Sequence, residues 1–432
     1  MPAQLNILHV ICHDLGQHLH CYGRPDVSSP HLDRLAAQGV RFTRCFTASP
    51  PCSPARGCIM TGRYAHTIGQ VGLAHRGFAL PEEEQTLVDY FNAAGYLTAN
   101  IGVQHERADP LKNRYQVDDH ESGHCEVVAR KAVAFLGDRA RDQVAPFYLN
   151  VGFHEVHLPF TRPEYVPDDP ALVCVPPWLP DNRGVREELA RFNGAIRFMD
   201  AAVGDILDAL DRTALSRNTL VMFTTDHGMA FPRAKGTLYD PGIGTALMMR
   251  MPAGEGRTGV AATELVSSID IAPTLLAAAG IQPSRQIQGI SFLGLLTGEA
   301  GGIRDCVFSE KNYHDSYDPI RAVRTDRYKY IRNFECRRKI VLASDIKRSP
   351  GSAEMWPWAN EPRPMEELYD LEADPYEMEN LADRPALARV WDELSRRLNG
   401  WMVETADPLL EGPVPAPPGA RVDPPDLPSG CA

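Results

Sequence analysis

Four short apolar runs are spaced along the first half of the chain. They are LNILHVIC at 5–12, LTANIGV at 97–103, PFYLNVGF at 146–153 and TLVMFTT at 219–225. Each run is apolar on both faces, which is typical of strands in a sheet that helices cover on each side. The pattern therefore predicts four buried strands.

Amphipathic segments separate these runs. The segment 29–39 begins with a serine and ends in a glycine, 84–95 has helical spacing, and 185–213 has the length of one or two helices. Strands alternating with helices indicate an α/β fold, with a mostly parallel central sheet sandwiched by helices. Functional groups are then expected at the carboxyl ends of the strands.

The pattern changes after about residue 304. Residues 320–334 alternate as antiparallel strands do, and 386–402 has helical spacing. We expect a catalytic α/β domain at 1–304, a smaller C-terminal α+β subdomain with an antiparallel sheet at 305–411, and a Pro-rich tail at 412–432. The proline content of this tail is typical of a disordered end or of an arm that packs on a neighbouring subunit. The sequence therefore leaves undecided whether the chain forms a homo-oligomer.

Charge and composition exclude some functions. Lys and Arg number 44 against 56 Asp and Glu, giving a net charge of -12, which argues against a nucleic-acid partner. No apolar run reaches the roughly 18 residues that a membrane span needs. The first run lacks the flanks of a signal peptide, so we expect a cytoplasmic protein with reduced cysteines.

Side chains suited to binding cations and anions follow each predicted strand. In chain order they are His13 and Asp14, His105, His154 and His157, and Asp226 and His227 with Lys235 shortly after. Carboxylates with imidazoles suit a divalent cation, and basic side chains suit a tetrahedral oxyanion. Each residue alone has an ordinary structural explanation, so the prediction depends on their convergence at one edge of the sheet.

A cysteine motif lies between the first two strands. C-S-P-A-R occupies 52–56 and T-G-R follows at 61–63. This pair resembles the C-x-P-x-R and T-G-R signature of the type I sulfatases. The resemblance runs nearly end to end, and FHEVH (153–157), FPRAKGTLYDPG (231–242) and SYDPIRAVRT (316–325) are most similar to the heparan N-sulfatase, or N-sulfoglucosamine sulfohydrolase, branch.

The resemblance implies a chemistry as well as a fold. In that family a formylglycine-generating enzyme oxidises the motif cysteine, here Cys52, to Cα-formylglycine, whose hydrate attacks the sulfur of a small-molecule or sugar sulfate. The implied roles fall into three groups: metal binding by Asp14, Asp226, Cys52, His227 and His13; catalysis by Cys52, Arg56, His105, His157 and Lys235; substrate binding by Lys235, His105, His157 and His154. The implied cation is usually calcium.

Three positions depart from the family pattern. His13 replaces one of two adjacent aspartates, His227 stands where many members have asparagine, and Val103 occupies the lysine position of G-K-x-H. The predicted metal site is therefore less anionic and richer in nitrogen than the family pattern. Manganese and zinc are consequently candidates for the bound cation in addition to calcium. The Asp226–His227 pair also resembles the phosphonate and phosphate-diester hydrolases of the same superfamily.

Three functions consequently stay open. The first is a sulfatase acting on an O- or N-sulfate, and the second is a phosphonate or phosphate-diester hydrolase that uses the same formylglycine. The third is a sulfatase-like binding protein without catalysis. His13 and Val103 favour this last function. The intact set of Cys52, Arg56, Asp226 and Lys235 argues against it.

Overall fold

The chain forms two sheets with helices around them. A computed structural model describes residues 5–142, 145–299, 301–337, 340–349, 354 and 362–424. Its strands are β1 (Asn6–Cys12), β2 (Val40–Phe42), β3 (Cys45–Phe46), β4 (Leu97–Gly102), β5 (Val117–Asp119), β6 (Phe147–Gly152), β7 (Thr219–Thr225), β8 (Leu247–Arg250), β9 (Val260–Ala262), β10 (Val266–Ser267), β11 (Cys306–Tyr313), β12 (Tyr317–Thr325), β13 (Tyr328–Asn333) and β14 (Glu366–Asp370). Its helices are α1 (Pro30–Gln38), α2 (Cys52–Thr61), α3 (Leu87–Ala93), α4 (Cys125–Arg141), α5 (Arg183–Arg212), α6 (Asp240–Ile243), α7 (Ile271–Ala278), α8 (Leu293–Thr297), α9 (Ser344–Arg348) and α10 (Ala388–Glu404).

The larger sheet has eight strands in the order β5-β4-β6-β1-β7-β8-β2-β9. The five strands from β5 to β7 are parallel, while β8 pairs antiparallel with both β7 and β2. The four predicted strands are confirmed as β1, β4, β6 and β7. The remaining strands of this sheet have only three or four residues each, too few to give a period in the sequence.

Strand β1 shows why helices cover both faces of this sheet. Leu8 and Val10 belong to a core shared with α1, α4 and α5, whereas Ile7 and Ile11 belong to a core shared with α2, α3, α7 and α8. Each such side chain contributes roughly 1.5–3 kcal/mol when fully buried. Both faces of the strand are therefore stabilised by burial, and the predicted α/β sandwich is confirmed.

The smaller sheet is antiparallel, in the order β11-β12-β13-β14. Leu394, Leu398 and Trp401 of α10 pack on it beside Val323 and Tyr330. The antiparallel strands predicted within 320–334 and the helix predicted within 386–402 are confirmed. The division of the chain at 304 and 411 stays a prediction.

The described part of the Pro-rich tail packs on the chain's own surface. Val414 lies in an apolar cluster with Val71 and Phe78. Arg76 donates two hydrogen bonds to Asp423, each 3.0 Å long. This part is ordered against its own chain, in contrast with the expected disordered end or arm over a neighbour. Residues 425–432 of the predicted tail lie outside the described residues.

The helices and the cysteines bear on the expected cell compartment. Among the residues that the structure describes, no helix is long and apolar enough to cross a membrane. Eight cysteines in the described part of the chain are free thiols. The expectation of a cytoplasmic protein with reduced cysteines stays a prediction.

Candidate active site

The predicted site residues meet at the carboxyl ends of the central strands. Asp14 follows β1, His105 follows β4, His157 follows β6 and Asp226 follows β7. These strands are parallel neighbours, so their ends form one edge of the sheet. Cys52 reaches the same edge as the first residue of α2.

Four of the predicted metal ligands form a tight buried cluster. One donor atom each from His13, Asp14, Cys52 and Asp226 lies within 4.8 Å of the other three. Asp14 adopts a positive φ of 52°, and its backbone N–H donates to Asp226 Oδ1 at 3.0 Å. The cluster therefore depends on a turn that brings the two carboxylates together.

His227 presents a ring nitrogen to this cluster. Its Nδ1 donates to the carbonyl of Gly228 at 2.9 Å. Because a carbonyl only accepts, Nε2 is left with its lone pair. Nε2 lies 3.1 Å from Cys52 Sγ and 3.2 Å from Asp14 Oδ1. His227 is thus oriented as a metal ligand would be.

Two buried polar atoms in the cluster lack a hydrogen-bond partner. They are His13 Nδ1 and Asp14 Oδ1. His13 Nδ1 lies 3.0 Å from Asp226 Oδ2, but that contact is an ion-pair distance without hydrogen-bond geometry. An unsatisfied buried group costs about 1–3 kcal/mol. Carboxylates and imidazoles with spare lone pairs fit a divalent cation, so the residues present suit the metal that the resemblance implies.

Arg56 lies one turn along α2 from Cys52, on the same side of the helix. Its guanidinium is buried and donates to Asp226 Oδ2 at 3.3 Å and to the carbonyl of Cys12 at 3.2 Å. Burial would raise the pKa of the Asp226 carboxyl, but contacts with His227, His13 and Arg56 hold it well below its usual range. Asp226 is consequently an anion at neutral pH.

Lys235 supplies a second buried cation. Its Nζ donates to Asp14 Oδ2 at 2.7 Å and to Asp345 Oδ2 at 2.6 Å, and lies 3.3 Å from His157 Nε2. Burial would lower the pKa of Lys235, yet the two carboxylates raise it well above its usual value. The ammonium is therefore a fixed positive charge beside the cluster.

Imidazole rings surround His13 on its outer side. The ring centroids of His105, His154 and His157 lie 5.7, 6.0 and 5.7 Å from that of His13. His157 Nδ1 donates to the Leu158 carbonyl at 2.6 Å, so its Nε2 faces Lys235. Burial lowers the pKa of His105 to about 3 and that of His154 to about 4. Both of these rings are therefore neutral at pH 7.

The Cys52 side chain is almost fully buried, with 3% of the residue exposed. Burial raises the pKa of its thiol well above the usual value, and the nearby charge of Lys235 offsets this only in part. An unmodified Cys52 is thus a neutral thiol, which is a weak nucleophile and a poor ligand for a hard cation. Its surroundings do not activate it as a thiolate.

Two residues at the site were not predicted. Asp345 of α9 contacts Lys235, and His75 stacks on His105 with ring centroids 5.3 Å apart. Neither follows a predicted strand, and neither belongs to a motif. Asp345 comes from a polar, Pro-containing stretch that gave no helical or strand period, so no signal in the sequence marked it.

Two families match this chain. The family described as Sulfatase matches residues 5–281. The family described as N-sulphoglucosamine sulphohydrolase, C-terminal, matches residues 227–362. Together the matches cover residues 5–362, which include the larger sheet, three of the four strands of the smaller sheet and every residue of the cluster.

Two curated relatives cover most of the chain. Human N-sulphoglucosamine sulphohydrolase is 28% identical, over 94% of this chain and 92% of its own length. An ulvan-active sulfatase of Formosa agariphila is also 28% identical, over 94% of this chain and 76% of its own length. The similarity thus extends over nearly the whole chain.

Two solved structures share the fold. A protein in complex with its substrate D-glucosamine-2-N,6-O-disulfate superposes with a TM-score of 0.74 at 19% identity, covering 94% of this chain and 99% of its own. A phosphonate monoester hydrolase from Silicibacter pomeroyi gives 0.72 at 20% identity, covering 93% and 96%. At these identities the likeness concerns the fold.

Proposed function

Because this chain belongs to the sulfatase family, whose members are sulfuric ester hydrolases, we propose that it removes an O- or N-sulfate from a sugar. The proposed machinery is residue 52, matured to Cα-formylglycine, with one divalent cation. One observation carries the proposal: the clustered donor atoms of His13, Asp14, Cys52 and Asp226, with the Lys235 ammonium beside them. A cation and a fixed ammonium together offset the charge of a sulfate group.

The cation would be held by Asp14, Asp226 and the oxygen of matured residue 52, with His13 and His227 supplying nitrogen. When bound, it would offset negative charge on the sulfate and polarise what it touches. The family resemblance implies calcium, whereas the two imidazoles favour manganese or zinc. The measured metal content of the purified protein decides among the three.

The hydrate of formylglycine would supply two hydroxyls on one carbon. One would attack sulfur as the bond from sulfur to the leaving atom breaks, and loss of the other hydroxyl's proton would release sulfate and restore the aldehyde. The chain's own side chains have separate tasks. Arg56 holds Asp226 ionised and steadies charge at residue 52. Lys235 orients the sulfate oxygens, with His105 as a neutral neighbour. His157 in its imidazolium form is the proposed proton donor to the leaving atom, through Nε2, which lies 3.3 Å from Lys235 Nζ. Such a role is worth typically 10²–10⁴-fold in rate.

A phosphonate or phosphate-diester hydrolase is the second candidate. The observation that favours it is the nitrogen-rich metal site, because His227 Nε2 points at Asp14 and Cys52. The same fold also occurs in a phosphonate monoester hydrolase. Both candidates use residue 52 and the same cation, so only a comparison of substrates separates them.

The test is a panel of substrates under one set of conditions. The chain is produced together with a formylglycine-generating enzyme and assayed on a sugar N-sulfate, a sugar O-sulfate, an aryl sulfate and a phosphonate monoester. We expect a sugar sulfate to dominate. The peptide containing residue 52 should be about 18 Da lighter than its thiol form.

The control is Cys52→Ala, which should reduce turnover to background while leaving the protein folded. Dominant phosphonate turnover would replace the sulfatase proposal with the second candidate. Matured, metal-loaded protein that turns over none of the four substrates would support the non-catalytic binding protein instead.

A further inference from the structure

A third carboxylate lies inside the site, contributed by the C-terminal part of the chain. Asp345 Oδ2 is 2.6 Å from Lys235 Nζ and 3.5 Å from His157 Nε2. Its side chain is 15% exposed. The ammonium proposed to bind the sulfate is therefore shared with an anion outside the four-residue cluster. Asp345 forms a second possible metal-binding group with Asp14 and His157, but the Lys235 ammonium already bridges those two carboxylates.

Asp345 is fixed in this position. The neighbouring Ser344 donates its backbone N–H and its hydroxyl to the two carboxylate oxygens of Asp315, at 2.7 and 3.1 Å. Asp315 is in turn paired with Arg76 at 2.8 Å and bonded to His314 at 2.9 Å. The start of α9 is thus tied to the subdomain by buried charges, and Asp345 is presented to the pocket by a rigid support.

The charges of the pocket show what this carboxylate does. Three carboxylates, Asp14, Asp226 and Asp345, face two side-chain cations, Arg56 and Lys235. With the imidazoles left out of the count, these side chains carry one net negative charge. A bound divalent cation changes the net charge of the site to one positive. A single sulfate monoester, which carries one negative charge, balances it. A second anionic group beside the first would find no compensating charge.

Asp345 also has unused hydrogen-bonding capacity. Its Oδ1 accepts from the backbone N–H of Ile346 at 2.9 Å, and its Oδ2 accepts from Lys235. An ionised carboxylate offers about four acceptor positions. The remaining positions can take a hydroxyl or an N–H, and they repel sulfate and carboxylate groups.

We propose that Asp345 determines substrate specificity: it accepts a hydrogen bond from a hydroxyl or N–H next to the scissile sulfate and excludes a second anionic group at that place. This inference rests on the proposed sulfatase function of the same site. The substrate class is therefore a sugar whose group neighbouring the scissile sulfate is uncharged.

The test compares two sugars that differ at one neighbouring position, glucosamine 2-N-sulfate and glucosamine 2-N,3-O-disulfate. Binding is measured by calorimetry on metal-loaded protein that carries Cys52→Ser in every form compared, including the one called wild type at position 345. The serine supplies an oxygen at residue 52 but lacks the second hydroxyl that would expel sulfate, so neither sugar is turned over. The wild-type chain should bind the disulfate at least about tenfold more weakly, because like charges placed together at an interface are strongly unfavourable.

Two variants locate the effect. Asp345→Asn keeps the shape and removes the charge, and should bring the two dissociation constants to within about threefold of each other. Asp383→Asn removes an exposed carboxylate from the same part of the chain and should leave the tenfold ratio unchanged.

Equal binding of the two sugars by the wild-type chain would overturn the proposal. So would a ratio that Asp345→Asn leaves unchanged, because a residue that only supports Lys235 would weaken both sugars alike. Should Asp345→Asn not fold, Asp345→Ser takes its place in the comparison, with the same expected and contradicting ratios. Sulfate release by matured protein is measured separately: release without the ratio refutes the role of Asp345, and the ratio without release refutes the sulfatase function.

Discussion

Two buried arginine–aspartate pairs in this molecule differ in how completely the protein satisfies their hydrogen bonds. Arg321 and Asp407, both with fully buried side chains, are joined by bonds of 2.5 and 2.9 Å. Arg321 also donates to the carbonyls of Lys311 and Ile320 and to the side chain of Asn312. All five N–H donors of this guanidinium are therefore used within the protein.

The pair at the candidate active site is built more loosely. Arg56 and Asp226 share one bond of 3.3 Å, and the same Asp226 oxygen lies 3.0 Å from His13. Unpaired buried atoms of His13 and Asp14 lie in the same cluster. The closed pair stabilises the fold, whereas the open pair leaves bonding capacity for a ligand. Burial of charge alone thus does not mark a functional site.

The largest expected effect is on the closed pair. Asp407→Ala leaves Arg321 buried without its counter-charge, so the free energy of unfolding should fall by about 3–5 kcal/mol. Metal content per folded molecule should stay unchanged. Urea unfolding and elemental analysis measure the two quantities. The matched control is Asp392→Ala, which breaks the exposed pair with Arg396 on α10 and should cost only about 0.3–0.5 kcal/mol.

The open pair should respond in the opposite way. Asp226→Asn removes a proposed ligand, so the affinity for the divalent cation should fall by at least about 100-fold, which loss of even an outer-shell partner can cost. Metal binding is therefore the quantity that separates this variant from Asp407→Ala. Full metal occupancy in the Asp226→Asn variant would contradict the proposal that Asp226 binds the cation.

A dependence on pH should follow from the closed pair. Burial would raise the pKa of Asp407, but the hydrogen bonds and charge of Arg321 lower it below its usual value. A depressed carboxyl pKa adds stability above the unfolded value of about 3.9, and that stability is lost as the pH falls through the folded value. The stability difference between wild type and Asp407→Asn should therefore shrink below about pH 4. A constant difference from pH 7 to pH 3 would contradict this.

The smallest effect is expected at the outer edge of the open site. His154 stacks on His157, with ring centroids 5.2 Å apart. His154→Gln should raise KM about threefold with kcat nearly unchanged, as loss of uniform binding does. His157→Gln, at the proposed proton donor, should instead lower kcat by 10²-fold or more, as an estimate from general-acid catalysis. Equal effects of the two variants on kcat would contradict the separate roles assigned to His154 and His157.

The sequence predicted the parts of this molecule that repeat a period or follow a strand. Strands β1 and β7 are long and apolar on both faces, and Asp14 and Asp226 follow them directly. Parallel topology then brings those two carboxylates together, although 212 residues separate them. The family motif at 52–56 placed Cys52 and Arg56 on one helix.

Asp345 shows what the sequence could not supply. It reaches Lys235 across 110 residues, from a five-residue helix whose position depends on Ser344 and Asp315. Neither a period nor a motif records such a tertiary contact. The short strands of the central sheet were missed for a similar reason, because three residues cannot show an alternation.

The most direct test of the central claim is a crystal structure of the matured, metal-loaded chain with inorganic sulfate, with diffraction recorded at the absorption edge of the bound metal. We predict one ion held by Asp14, Asp226 and the oxygen of residue 52 at about 2.0–2.6 Å, with the sulfate on Lys235. An ion bound elsewhere, or residue 52 still a thiol in protein that releases sulfate, would contradict the account.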